Sequence, residues 1–504
     1  MIDQTLLAQL AQVQPNGDPT LGGSFALAQQ ESVQELQKAL TASNYQTDVA
    51  TLTGGGALGV QSLDTAMKTV VQEEEHFVLF KKLAQSNASN IVDEYLRQNS
   101  IGGFLGGSTN TQMGVVRAAQ GEYSREVGLV KFLMTLRQVG YVLNVGKNMA
   151  EPIAVEERNG AKQLMTDAEY LLFYGDSDAC PTQFDGIFTA VDKEIAAGGM
   201  DGNHIIDLQG QPLTSVEPFT QLQAAVQDYG NWGRITECFM PVAAQTDLNL
   251  SLDPAYRWSA EGTGSAEQMK IGAHVSGIRL TEGVLKTNID TFLHHDAFPM
   301  AKPFELTWSA IATANAGFKP ASITADASAD DASSQFTAAR AGNYYYAVAA
   351  IGPNGEGLTE IVKSTTTAVA AGKKVVLTIT KSSANTESGY AIYRSRLNGS
   401  DDVSDFRLMK VVKKAGNTTT YTDLNRDIPG TVAIPCLNMA ASADAIGWRQ
   451  FQPMTKIPLP FGVGGMPVMS WFQFLFGYLR VTKPKHHGYI KNVLPTSAQW
   501  RPFG

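Results

Sequence analysis

The sequence predicts an α+β chain built of several parts, one of them an all-β sandwich. Three observations carry this. First, "GAKQLMTDAEYLLFYGDSDACPTQFDGI" closes a long one-faced helical stripe with a glycine stop. Second, residues 91–145 place a glycine-rich centre between two segments of alternating character. Third, residues 305–439 are rich in Thr, Ser, Val and Tyr. Their short period-2 segments are parted by Gly and Asn turns at about the 8–12-residue spacing of a sandwich. With 504 residues the chain has room for two to four domains at ~100–200 residues each. At 43% hydrophobic and 17% charged, its composition is that of a folded protein.

Taken in order, residues 1–22 read as a loose polar arm. Ser24 can cap a helix carrying Leu27, Val33, Leu36 and Leu40 at helical spacing. "TLTGGGALG" reads as a hinge, and "VQSLDTAMKTVVQEEEHFVLFKKLAQ" as a second helical stretch ending before Ser86. Residues 91–145 then predict one long projecting hairpin, with too little apolar matter at its Gly/Ser/Thr tip to bury itself. Pro152 suits a first helical turn. Ala161, Leu164, Met165, Ala168, Leu171 and Leu172 form the apolar stripe of a helix about 22 residues and about 33 Å long. Gly175 is expected to end it in the left-handed conformation. Residues 205–304 alternate strand and helix, and the aromatic-rich end of the chain, 440–504, predicts long buried strands returning to an earlier core.

Chemistry is harder to find. A net charge of −9 and a pI of about 5.4 argue against a nucleic-acid-binding protein with a basic face. Cys180, Cys238 and Cys436 are odd in number and lack ligand spacing, which points to a reducing compartment and no zinc site. No apolar run is long enough to span a membrane, and the N-terminus lacks a secretory pattern. "GGGALG" matches a dinucleotide fingerprint but lacks its strand and βαβ context, so it reads as a hinge. His294-His295 and His486-His487 are adjacent pairs, which point opposite ways on a strand and chelate poorly. "QEEEH" reads as a solvated helix face. Asp176, Asp178 and Asp185 could suggest a metal or acid–base site. Residues of this type in a loop more often serve their own backbone, and the calcium-loop position counted from Asp176 is Ile187 rather than Glu. No catalytic constellation and no cofactor site stands out.

The order of parts resembles the major capsid proteins of tailed bacteriophages, with the HK97-type fold. "FVLFKKLAQSNASNIVDEYLRQNSIGG" is similar to that family's passage from arm to extended loop. "MAEPIAVEERNGAKQLMTDAEYLLFYGDSDACPTQFDGI" is similar to its spine helix and stop. "HIIDLQGQPLT", "RITECFMPVAAQTDLNLSLDPAYR" and "FGYLRVTKPKHHGYIKNV" are similar to its axial and closing peripheral strands. The resemblance implies an N-terminal arm with helical stretches over 1–90 and an extended loop over 91–145. The spine helix and peripheral domain take 146–204, and an axial domain 205–304. An immunoglobulin- or fibronectin-III-like insert follows over 305–439, and 440–504 returns to the axial and peripheral domains. It implies self-assembly into hexamers and pentamers of an icosahedral shell enclosing double-stranded DNA. A portal, a scaffold and possible decoration proteins would be partners, with only weak DNA contact at the inner wall, no membrane, and assembly in the host cytoplasm. Arg125, Val127, Leu129, Phe132, Leu136 and Arg137 are the expected interface anchors on the loop. Leu164, Met165, Ala168, Leu171 and Leu172 are the expected core of the spine. Two other readings compete: an encapsulin-like nanocompartment shell of the same fold, and a cytosolic enzyme carrying a β-sandwich binding module, which would need a convergent polar pocket.

Overall fold

The computed structural model describes residues 76–146, 151–251, 277–293, 318–352, 361–462 and 467–503. The helix expected from Ser24, the glycine hinge and His294-His295 lie outside these residues.

In chain order, helix α1 (Leu79–Lys82) leads to strands β1 (Ala84–Asn87), β2 (Val92–Ser100), β3 (Glu122–Leu129) and β4 (Lys131–Gly140). Helices α2 (Tyr141–Val145), α3 (Pro152–Tyr174) and α4 (Ile187–Ala196) follow. Next come β5 (Ile205–Asp207), α5 (Glu217–Gln227), β6 (Glu237–Met240), α6 (Val242–Ser251), β7 (Gly277–Leu280) and β8 (Gly283–Ile289). A run of strands fills the rest: β9 (Ser322–Asp326), β10 (Gly342–Tyr344), β11 (Tyr346–Ile351), β12 (Val362–Lys363), β13 (Thr367–Val369), β14 (Val375–Thr380), β15 (Gly389–Arg394), β16 (Arg407–Lys413) and β17 (Thr418–Asp423). The last are β18 (Val432–Leu437), β19 (Ile446–Pro458), β20 (Val468–Val481) and β21 (Gly488–Val493). The class is α+β.

The spine is α3, with Pro152 at its start. Leu164, Ala168 and Leu172 are buried on one face, while Met165 and Leu171 flank them half-buried. They pack with Leu475, Leu479 and Trp448 of a four-stranded sheet, ordered β1-β19-β20-β4. Gly175 does stop the helix, but not in the left-handed conformation, since its φ is −59°. Space is the reason for a glycine there. A Cβ would press on the carbonyl oxygen of Phe184 and stand 2.7 Å from that of Leu171.

The acidic loop beyond Gly175 is structural. Asp176 Oδ1 accepts the backbone N–H of Asp178 at 2.9 Å, an Asx-turn. Asp185 accepts the N–H of Ser177 and binds Lys193, which also pairs with Asp178 at 3.1 Å. Ala179 and Cys180, both buried, pack on Ile351 and half-buried Val411. This loop therefore seats the strands inserted between β8 and β18.

Those inserted strands form a three-stranded sheet, β17-β14-β9, and a four-stranded one, β12-β11-β15-β16, with β10-β13 beside them. Tyr346, Val348, Leu377, Ile379, Tyr390 and Ile392 fill the space between the two larger sheets. Across that core, Arg394 Nη1 pairs with Asp423 Oδ2 at 2.6 Å, both fully buried, and Tyr346 donates to the same carboxylate. Burial alone would make this charge pair costly. Its bonds to Tyr346 and Asn425 offset that cost and fix one sheet against the other.

A six-stranded sheet, β5-β21-β18-β6-β8-β7, carries α5 on one face and contains Val432–Leu437, so the chain rejoins this sheet before residue 439. Three further differences from the sequence reading have physical causes. Ala84 and Gln85 open strand β1 rather than end a helix, because residues 84–87 gain a parallel ladder with β19. The hairpin ladder spans only β2 and β3. Residues 131–140 pair with β20, more than 300 positions later, a contact that local pattern cannot reveal.

Candidate subunit interface

The hairpin β2–β3 has two faces, because successive residues of a strand point opposite ways. Register places Asp93 opposite Gly128, Tyr95 opposite Glu126 and Arg97 opposite Ser124 on the inner face. This face is fastened to the body of its own chain. Asp93 takes a two-pronged contact from Arg449 (2.8 and 3.0 Å) and a hydrogen bond from the Tyr478 hydroxyl at 2.6 Å. The Arg449 contact holds the Asp93 carboxyl below its ordinary range, while burial pushes the Tyr478 phenol up. Arg97 bridges Glu126 and Glu194, and Tyr95 donates to the carbonyl of Val481. Gly128 lies directly on the Tyr478 ring, leaving no room for a Cβ.

The outer face carries Val92, Glu94 and Leu96 opposite Leu129, Val127 and Arg125. Nothing in the described chain covers it. Leu96 is 79% exposed and Val127 57%. Arg125 pairs with Glu94 across the ladder. Beyond the ladder, the tip holds Ile101, Phe104, Leu105, Met113, Val115 and Val116, each between 68% and 96% exposed.

A second open surface lies on the four-stranded sheet. Phe132, Met134 and Leu136 of β4 stand opposite Phe476, Phe474 and Phe472 of β20, with Ile457 of β19 beyond Phe472. The rings interlock, Phe132 on Phe476 edge-to-face at 4.9 Å and Phe474 stacked on Phe476 at 4.8 Å. Even so, Met134 is 63% exposed, and Phe132, Leu136, Phe472 and Ile457 are each 40% or more. Tyr478, next in this row, is the residue under Gly128, so the chain's own hairpin base covers one end of the face; Phe474 is buried within the row, and the exposed part is Phe132, Met134, Leu136, Phe472 and Ile457.

The other face of β4 is turned to the spine. Arg137 pairs with Glu156 at 3.2 Å and donates to Gln163, and Lys456 binds Glu157 at 2.6 Å. The six anchors named from sequence thus divide three ways. Arg125, Val127 and Leu129 sit on the hairpin's outer face, Phe132 and Leu136 on the open sheet, and Arg137 is committed to the spine inside its own subunit. Sequence reasoning missed Met134, Phe472 and Ile457, although the alternation in "KFLMTLRQVG" left a readable signal. It also missed Asp93, whose partners lie more than 350 residues away.

Asp93→Ala is expected to free the hairpin from the body. Loss of the Arg449 and Tyr478 bonds to a charged group should cost about 2–3 kcal/mol. Hydrogen exchange should then speed up over residues 92–98 and 122–129, while the spine helix keeps its protection.

The remaining candidates carry no chemistry of their own. His487 is buried, accepts the N–H of Asn438, and is pushed down to about 4 by burial. His486 meets the side-chain amide of the same residue, Asn438. Among the described residues no group of three or more His, Cys, Asp or Glu is placed to hold a metal ion, and no helix is long and apolar enough to cross a membrane.

No family model matches the sequence, and no curated protein matches it. Several solved structures are similar to the chain. One is the capsid of a native GTA particle, 8% identical with a TM-score of 0.46, spanning 89% of this chain and 100% of that one. Another is the capsid of the Myoviridae phage XM1, 8% identical with a TM-score of 0.40, spanning 86% and 96%. A third is the holo-SrpI encapsulin complex from Synechococcus elongatus PCC 7942, 10% identical with a TM-score of 0.36, spanning 90% and 98%.

Proposed function

We propose that this chain is a major capsid protein, whose copies build a closed icosahedral shell of hexamers and pentamers around double-stranded DNA. The observation that carries this reading is the pairing of two uncovered apolar surfaces on one chain. One is a hairpin tip that cannot bury itself, and the other is the open β4–β20–β19 face. Exposed apolar surface of this extent marks an interaction site. Because the hairpin base is clamped to its own body, the tip is presented outward rather than folded back. The tip and outer face of one copy lie on the open sheet face of the next, a head-to-tail contact that can close into rings. Each contact is modest, and repetition around a closed shell multiplies it.

The two facing sheets over residues 322–423 support an immunoglobulin-like insert held on the outer surface. The role is structural rather than enzymatic, since the carboxylates of the acidic loop are taken up by backbone N–H groups and Lys193. Portal, scaffold and any decoration proteins would be the further partners, and assembly would take place in the host cytoplasm. Mass photometry of the purified chain tests the reading. Particles of hundreds of copies support it, and nuclease-protected DNA within phage-derived particles separates a phage shell from a compartment filled with protein. A monomer at all concentrations would contradict it.

A further inference from the structure

We propose that Cys238 and Cys436 form a latent cross-strand staple: two thiols in reducing surroundings, and one disulfide bond after reaction with a small disulfide oxidant such as oxidised glutathione. The two residues stand directly opposite each other on antiparallel β6 and β18. Directly opposed residues have Cβ atoms about 4.5–5.5 Å apart, and a disulfide needs about 3.5–4.5 Å, so a small approach of the strands suffices. Cys238 stands near enough to Cys436 to oppose its ionisation. Both are fully buried in the apolar core of the six-stranded sheet, among Leu222, Leu285, Ile434 and Ile490.

The chemistry balances within the pair and the oxidant. One cysteine attacks a sulfur of oxidised glutathione, displacing one glutathione thiol and leaving a mixed disulfide. The second cysteine then displaces the other glutathione. Two electrons pass to the oxidant, and the two cysteine protons leave with the released thiols. Burial pushes the Cys436 thiol up, so reaction waits on opening of β6 from β18. That opening is short, because only two residue pairs join these strands. The bond would tie β6, upstream of the inserted sandwich, to β18, the strand that follows it, closing a loop of roughly 200 residues. This inference does not depend on shell formation. For a shell leaving a reducing compartment, it would add stability after release.

The test is thiol counting on the full chain, held a few degrees below its melting midpoint with either oxidised glutathione or a phosphine reductant, then denatured and alkylated. Three alkylated cysteines are expected after the reductant and one after the oxidant, with a Cys238–Cys436 linked peptide in the digest. Cys180 is the internal control, buried against Ile351 and Val411. The oxidised protein should melt about 5–10 °C higher. Cys238→Ser should keep two free thiols under both conditions and show no shift. Three free thiols after oxidation, a linkage through Cys180, or a linked form that melts no higher would overturn the proposal.

Discussion

Replacing Leu96 and Val127 together by aspartate is expected to abolish shell assembly and leave the subunit folded. Both side chains lie on the uncovered face of the hairpin, 79% and 57% exposed. In the isolated subunit, substitutions at such surface positions should change stability within about 0.5 kcal/mol. At a subunit contact the arithmetic differs. Burying a Leu or Val side chain stabilises by about 1.5–3 kcal/mol, and the variant would instead desolvate two carboxylates. The deficit recurs at every contact of the shell. Light scattering should report small species only, with a melting curve like that of the parent chain. Met134→Asp on the open sheet should reproduce the effect, because it lies on the other half of the same contact. Shells of normal size from either variant would remove these surfaces from the account.

The second large effect is on pH. Glu169 sits on the spine helix, fully buried, and accepts the N–H groups of Leu79 (2.6 Å) and Phe80 (2.9 Å). It thereby ties residues 77–83 to the spine. Asp290, also fully buried, lies against it and accepts the N–H of Phe292. Two carboxylates so placed cannot both ionise without cost. Burial, and then the Asp290 charge, push the Glu169 carboxyl up to about 8, and burial raises Asp290 to about 6. Tyr174, whose phenol burial pushes up, stands near Asp290 from the same helix. The folded state therefore holds these protons more tightly than the unfolded chain. The stability they contribute is complete below the ordinary carboxylate range and is lost as pH rises toward 8. Between pH 5 and pH 9 the loss should be on the order of 2–4 kcal/mol. Denaturation midpoints across that range should fall, and amides of residues 77–83 should exchange faster beyond the intrinsic pH effect. Glu169→Gln should flatten both trends, because the amide cannot ionise and can donate to Asp290. A flat profile in the parent chain would show that the pair is not sharing a proton.

The sequence made some of this legible. The stripe of Leu164, Ala168 and Leu172 and the Pro152 start are local features, and the spine follows from them. Asp176 behaves as its place after a helix stop suggests. The hairpin was readable as alternation around glycine, but its end was not. Lys131–Gly140 continues the same period-2 pattern, and only the ladder to β20 shows that it belongs elsewhere. Gly175 was correctly a stop for a different reason, crowding by Phe184 rather than a left-handed turn. The Asp93 anchor and the Glu169–Asp290 pair were out of reach, since each joins residues more than 100 positions apart. A lone acid in a strand or on a helix looks like any solvated charge until its partners are placed.

Cryo-electron microscopy of the expressed, purified chain tests the central claim most directly. The account predicts closed shells in which residues 101–121 of each copy cover Met134, Phe472 and Ile457 of its neighbour. Particles whose hairpins contact no other copy, or a chain that stays monomeric with that sheet face bare, would contradict it.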